Sequence, residues 1–315
     1  MPQNSEIKKH IRSIREIKQI TRAMQLVSQV KMKRSRKLLD LTKPFFLGCV
    51  RTMEEMMIAE PEALSNLFQI KQKPAGSEWK VLFYVFGAEQ GLSGSYGLNV
   101  VRFAEKVISD TKARIEKDGY VFSYEIRFLG KIGRERLVRD GYQVNASWNY
   151  QIDNPNFYDA TDIANNMFDL YNENKVDSIY LVYSTMKNKI QAHPIYTRLM
   201  PADYQGLHLL LSELFSQAEI EEEEQRCNFY QHETMEWIPN AHKVKDYLSL
   251  TYIYGMVYGA FTESFASEQA VRMTAMNQAT DNADELLGKL QIEKNRVRQQ
   301  QITQELNEII SGSIL

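Results

Sequence analysis

The chain has 315 residues, of which 43% are hydrophobic and 25% charged, and a formal net charge of −2. That is room for about two ordinary globular domains, and it excludes a collagenous or intrinsically disordered chain. The two cysteines, Cys49 and Cys227, form no CxxC and no disulfide framework, so a reducing compartment is expected. The opening residues MPQNSEIKKH lack the apolar core of a secretory signal.

Proline is absent from residues 3–43. Ile7, Ile11, Ile14, Ile17, Ile20, Met24, Val27 and Val30 recur every three or four positions. That spacing predicts a long amphipathic helix from about Glu6 to about Thr42, ending before Pro44. A second helical segment, residues 44–59, leads into a loop carrying Pro61 and Pro74. The pattern then changes. Residues 80–86 read KVLFYVF, a short apolar run of the kind found in a strand buried on both faces. The loop GAEQGLSGSYG follows, then a helix over residues 98–117, a strand over 124–129, a short helix over 131–139 and a helix over 158–171. SIYLVY at 178–183 is a further buried strand, and 191–200 one more. This alternation predicts a small α/β domain with a mainly parallel sheet. Residues 207–215 and the glutamate run at 219–224 look like an excursion, and 229–237 reads as a returning strand.

The last proline is Pro239. Beyond it, residues 244–311 read as one helix. Met273, Met276, Ala283, Leu287, Leu290 and Val297 follow an imperfect heptad that skips Thr280 and Lys294. Unbroken, that stretch would be about 100 Å long, more than a domain of this size can bury. The rod needs a partner, and the N-terminal helix supplies one of matching pattern. Two unrelated helices on separate domains is the alternative. The uncharged stretch 247–262 is 16 residues long with four tyrosines, too short and polar to span a bilayer; it reads as a helix buried on the globular part. The expected organisation is an N-terminal coiled-coil helix with its extension (1–60), a central α/β domain (75–240) and a C-terminal coiled-coil helix (241–315).

Catalytic signals are sparse. The glycine-rich loop 87–97 invites a phosphate-binding reading, but it lacks both GK[ST] and an in-register GxGxxG. A structural strand-to-helix turn is the better reading. His10, His193, His208, His232 and His242 show no metal-ligand spacing, and no GxSxG is present. No cofactor is expected. Residues 7–39 carry eleven Lys or Arg against one acid, Glu16. A nucleic-acid arm would set its basic block apart from the heptads, whereas Arg12, Arg15, Lys18 and Arg22 interleave with the isoleucines. A solvated face and an acidic protein partner are the other readings.

Certain runs then point to a family. At the N-terminal end these are Ile11–Arg–Ser–Ile14, Gln19–Ile–Thr–Arg–Ala–Met24 and Lys31–Met–Lys–Arg34. At the C-terminal end they are Ala266–Ser–Glu–Gln–Ala270, Arg272–Met273, Ala279–Thr–Asp–Asn–Ala283 and Ile302–Thr–Gln–Glu–Leu306. Together they resemble the two terminal helices of the gamma subunit of F-type ATP synthase. Gly91–Leu–Ser–Gly–Ser–Tyr96 is similar to the GLCGSFN loop of that family's central domain. The chain departs from the family pattern at Glu89–Gln90 (usually Asp–Arg), at Ser93 (usually Cys) and at Trp237–Ile–Pro–Asn240 (usually Tyr–Glu–Pro–Asp). It also lacks the plant dithiol insertion. These features suggest a divergent bacterial member.

The resemblance implies an α/β fold: a long antiparallel coiled coil of N- and C-terminal helices with an inserted Rossmann-like domain. It implies the central rotor stalk of an ATP synthase. Such a stalk turns inside a ring of three alpha and three beta subunits, and stands with epsilon on the membrane ring of c subunits. It would be peripheral, on the cytoplasmic face of the bacterial inner membrane, and would itself hold no catalytic residue. By the same resemblance Arg298, Gln299 and Thr303 form the catch towards beta. Arg22, Met24, Lys31, Lys33 and Arg34 lie on the rotor's N-terminal helix, and Trp237, Ile238 and Asn240 face the c-ring and epsilon. The residues alone leave two other classes open: a nucleic-acid-binding coiled coil with an α/β domain, and a nucleotide-dependent enzyme using the 87–97 loop.

Overall fold

Helices at the two ends of the chain pair with each other around an inserted sheet, in a computed structural model that describes residues 2–59, 67–68, 70–188, 191–202, 218, 221 and 236–312. The elements are α1 (Pro2–Ala59), β1 (Glu78–Phe86), α2 (Tyr96–Lys117), β2 (Val121–Leu129), α3 (Arg134–Arg139), α4 (Phe157–Asn172), β3 (Ser178–Asn188), β4 (Gln191–Met200) and α5 (Ala241–Gly312). The readings at 207–215, 219–224 and most of 229–237 lie outside the described residues.

The sheet order is β2–β1–β3–β4. β1 is parallel to both neighbours, and β4 closes one edge as an antiparallel hairpin with β3. The period-2 alternation of β1 assigns its side chains to two cores. Val81, Phe83 and Val85 pack under α2, with Val101, Ala104 and Ile108. Leu82, Tyr84 and Phe86 face the other side, under α4 and the bases of α1 and α5. Both faces are therefore covered, which is why the run reads as continuously apolar. Tyr252, Ile253, Met256, Val257 and Phe261 put the uncharged stretch of α5 into the second core. No helix among the described residues is long and apolar enough to cross a membrane.

α1 differs from its sequence reading in two ways. First, it does not stop at Pro44; one helix of 58 residues runs through it. A proline inside a helix costs about 3 kcal/mol. Phe46, Leu47, Val50 and Met53 are buried just beyond it, each contributing about 1.5–3 kcal/mol. Burial therefore outweighs the lost backbone bond. The Thr42 hydroxyl also donates to the carbonyls of Leu38 (3.3 Å) and Leu39 (2.9 Å) in the turn that the proline disturbs.

Second, the seam of α1 follows the isoleucine stripe only as far as Ile14. The residues that face α5 are Ile7, Ile11, Ile14, Lys18, Thr21, Gln25, Ser28, Met32 and Ser35, in alternating steps of four and three. Ile17, Ile20, Val27 and Val30 point outward at 46%, 59%, 55% and 66% exposure. Beyond Ile14 two stripes of equal period run side by side, and the polar one is inside. The contacts settle this. The hydroxyls of Thr21 and Thr280 lie 2.8 Å apart in the seam, Gln25 Nε2 donates to Asn277 Oδ1 at 2.8 Å, and Lys18 pairs with Asp284 at 2.5 Å. One threonine can donate to the other while the second donates to a carbonyl in its own helix, Lys18 O or Met276 O. Small side chains let the helices lie close, and the buried hydroxyls are satisfied. On α5 the skipped position Thr280 is part of this seam, and Met276, Ala283 and Val297 are buried.

At the far end Leu287 and Leu290 pack with Ile7, Ile11 and Val297, while Gln291 is exposed. Leu287→Asp should therefore cost about 1–3 kcal/mol, and Gln291→Asp should stay within about 0.5 kcal/mol. Thermal melts of the two variants check this; equal melting temperatures would place the seam elsewhere.

Candidate functional site

In a doubly wound sheet, ligands bind beyond the carboxyl ends of the strands where the strand order reverses. Here that crevice lies between β1 and β3: the chain leaves β1 towards β2, then returns to the other side of β1 to form β3. The glycine-rich loop 87–97 opens from it. The crevice is occupied by the shaft itself. Ser184 N–H of β3 donates to Ser264 Oγ (3.1 Å), Ser267 Oγ donates to Ser184 O (3.3 Å), and the Tyr96 hydroxyl donates to Ser264 O (3.0 Å). One turn along α5, the Glu268 carboxylate accepts the backbone N–H groups of Glu89 and Gln90, each at 3.2 Å.

An anion is thus held by two loop amides next to the start of α2, the arrangement by which a phosphate is usually cradled. The anion is a side chain of the protein. Arg272 closes the clamp. It pairs with Glu268 and donates to Gln90 O (2.9 Å) and Gly91 O (3.2 Å). Glu89 carries the connection onward, accepting from Ile152 N–H (3.2 Å) and pairing with Lys131 (2.5 Å). Burial pushes the Glu268 carboxyl above the usual carboxylate range, and Arg272 and the two amides pull it back. The loop's glycines answer to packing and turning: a Cβ on Gly87 would come within 2.2 Å of Phe128, and Gly94 has φ +56°. The loop is a structural turn gripped by the shaft.

Ser267, Glu268 and Arg272 stand in the sequence only within the family-like runs, where nothing marks a role for them. The signal available was an acid and an arginine at i, i+4, set into an otherwise small and apolar helix face.

The other candidates are dispersed. Arg298, Gln299 and Thr303 are exposed on α5 beyond Val297, and Thr303 Oγ1 donates to Gln299 O at 2.9 Å. Gln299 and Thr303 therefore share a face one turn apart, with Arg298 beside them. Arg22, Lys33 and Arg34 are exposed on α1, and Met24 is half-buried. Lys31 turns to its own chain, pairing with Asp153 at 3.0 Å and standing 5.8 Å from the Phe265 ring. With Lys18 on Asp284, part of the basic helix is neutralised from within. Trp237 packs on the core, Ile238 is exposed, and Asn240 caps α5 by accepting from Lys243 N–H at 3.0 Å. No cluster of metal-ligating side chains occurs among the described residues.

The sequence profile of the ATP synthase family matches residues 3–314. The chain belongs to the ATP synthase gamma chain family. The gamma chain of Ruminiclostridium cellulolyticum is 33% identical over 308 residues, which are 98% of this chain and 97% of that one. The gamma chain of Caldicellulosiruptor saccharolyticus is 34% identical over 307 residues, 98% and 96% of the two chains. In fold the chain is similar to one from the central stalk and c-ring of Tetrahymena thermophila mitochondrial ATP synthase. The TM-score is 0.53 at 24% identity, covering 82% of this chain and 99% of that one. The paired helices and inserted mixed sheet are the gamma-chain architecture.

Two outcomes follow from the clamp. Arg272→Ala leaves the buried Glu268 without its cation and should cost about 3–5 kcal/mol in denaturant unfolding. With the anion site filled from within, the full chain should bind no ATP at micromolar concentration; a tight stoichiometric site in calorimetry would contradict this.

Proposed function

We infer that this chain is the central rotor stalk of an F-type ATP synthase, coupling rotation of a membrane c-ring to ATP synthesis or hydrolysis at the beta subunits. The observation that carries it beyond family membership is the exposed apolar stripe on a rod too long for its own domain. α5 alone has 72 residues, about 110 Å of helix. Ile17, Ile20, Val27 and Val30 on α1, and Ile302, Leu306, Ile309 and Ile310 on α5, are exposed. Apolar surface in rows of this kind marks contact with a partner. A ring of alpha and beta subunits would cover it along the shaft, and epsilon and the c-ring would meet the globular end.

The rotor's contribution is mechanical. An asymmetric shaft that touches each beta subunit differently shifts that subunit's equilibrium between nucleotide-binding states, by as much as its differential contact energy. The chain holds no catalytic group in this reading. Charges flanking the apolar rows, such as Arg12, Arg15 and Arg22, are solvated. Surface pairs made from them are worth about 0–1 kcal/mol each, so they can break and re-form as the shaft turns. The stalk is peripheral, on the cytoplasmic face of the bacterial inner membrane, and touches the membrane only through the c-ring.

We place the polar catch towards beta at Arg298, Gln299 and Thr303, and the foot at Trp237, Ile238 and Asn240. The double substitution Arg298→Ala with Gln299→Ala should leave the fold intact, since both sites are exposed helix positions and alanine favours helix. In a complex reconstituted with alpha and beta subunits it should lower ATPase turnover or the yield of assembly by about tenfold, the equivalent of about 1.4 kcal/mol. Parental turnover and assembly would remove these residues from the catch and leave the stalk reading standing.

A further inference from the structure

Between the base of α1, the first half of α5 and the start of α4 lies an open-sided cavity of about 280 Å³, with the exposed rings of Phe45, Phe157 and Tyr247 at its rim. An apolar cavity of about half that volume accommodates benzene, so this one has room for two fused rings. Aromatic side chains make up much of its wall. Phe46 and Tyr183 are buried in it, and Phe157 stands edge-on to Tyr254 and Tyr258, with centroids 6.4 and 6.1 Å away.

Two glycines, Gly255 and Gly259, lie one turn apart on the α5 wall. The first is required by packing, because a Cβ there would come within 2.3 Å of Phe46. The second is not: a Cβ on Gly259 would meet nothing within 4 Å. Glycine inside a helix is destabilising relative to alanine, so Gly259 keeps the wall open at a cost that no neighbour demands.

Among the described residues that line the cavity the one acid is Glu263, with Lys43 also on the wall. Burial pushes the Glu263 carboxyl up, and a hydrogen bond from Thr185 and the charges of Lys43 and Arg36 oppose the shift. A carboxylate only accepts hydrogen bonds and has capacity for about four. Lining the cavity, the Glu263 carboxylate can accept an N–H or O–H from an occupant. We propose that the cavity is a binding site for a flat aromatic molecule of about two fused rings carrying an amine or hydroxyl donor directed at Glu263.

The test is calorimetric titration of the full chain with 6-aminoquinoline, with quinoline as the probe that lacks the donor. The parent should show one saturable site with a Kd at or below about 1 mM, and quinoline should bind at least about fivefold more weakly. Gly259→Leu fills the space; it should melt no lower than the parent and bind at least about tenfold more weakly. Gly288→Leu, at an exposed position of α5 that also has open space around it, should bind as the parent does. Glu263→Leu should erase the difference between the two probes, and it decides the matter if Gly259→Leu fails to fold. Absence of saturable binding, equal binding by the parent and the folded Gly259→Leu, or equal binding of the two probes by the parent would each overturn the proposal.

Discussion

The seating of α5 in the crevice of the sheet is the constraint on which the rest depends. Ser264, Ser267, Glu268 and Arg272 tie one helix to the backbone of β3 and of the loop after β1. Because these bonds are charge-assisted or buried, they are stronger than their surface equivalents. The same helix continues without a break into the pairing with α1. The globular domain and the rod therefore share one structural member, and there is no hinge loop at the joint. A chain that must carry force from one end to the other needs that continuity.

The clamp also explains how an α/β fold of nucleotide-binding appearance serves a mechanical purpose. A strand, a glycine-rich turn and a helix N-terminus form a basin for an anion. Supplying the anion from an i, i+4 acid–arginine pair on the shaft turns a ligand site into a joint. Fold and chemistry part company at that carboxylate.

Much of the architecture was legible from the residues. KVLFYVF announced a strand covered on both faces, and the heptads at both chain ends announced a pair. The errors have physical causes. Pro44 marks a stop by local propensity, and the burial of Phe46, Leu47 and Val50 that overrides it is set by tertiary packing. The α1 seam was read from its isoleucines because apolar periodicity normally marks the inside. In a shaft that is itself enclosed, the outside is apolar too, and the interior can be threonine and serine. Only the partner's positions Asn277, Thr280 and Asp284, matched against Gln25, Thr21 and Lys18, tell the two stripes apart. The clamp was hidden for a related reason: its contacts span about 180 positions in sequence, and nothing local to Glu268 names the amides of Glu89 and Gln90. Arg298, Gln299 and Thr303, which we propose as the catch, lie on an exposed helix face whose meaning depends on a neighbouring subunit.

The threonine pair at the middle of the seam has a consequence for how the rod deforms. Interdigitated apolar side chains resist axial slip by their shape, and polar pairs add direction to that resistance. The buried hydroxyl–hydroxyl bond between Thr21 and Thr280 adds a directional preference for one axial offset of the two helices, with the more exposed pairs Gln25 on Asn277 and Lys18 on Asp284 beside it. Under an applied couple, two helices so held resist shearing along each other, which favours twist of the pair as a whole. Packing shape and polar register together bias the rod towards carrying load in the winding of the helices instead of in slip between them.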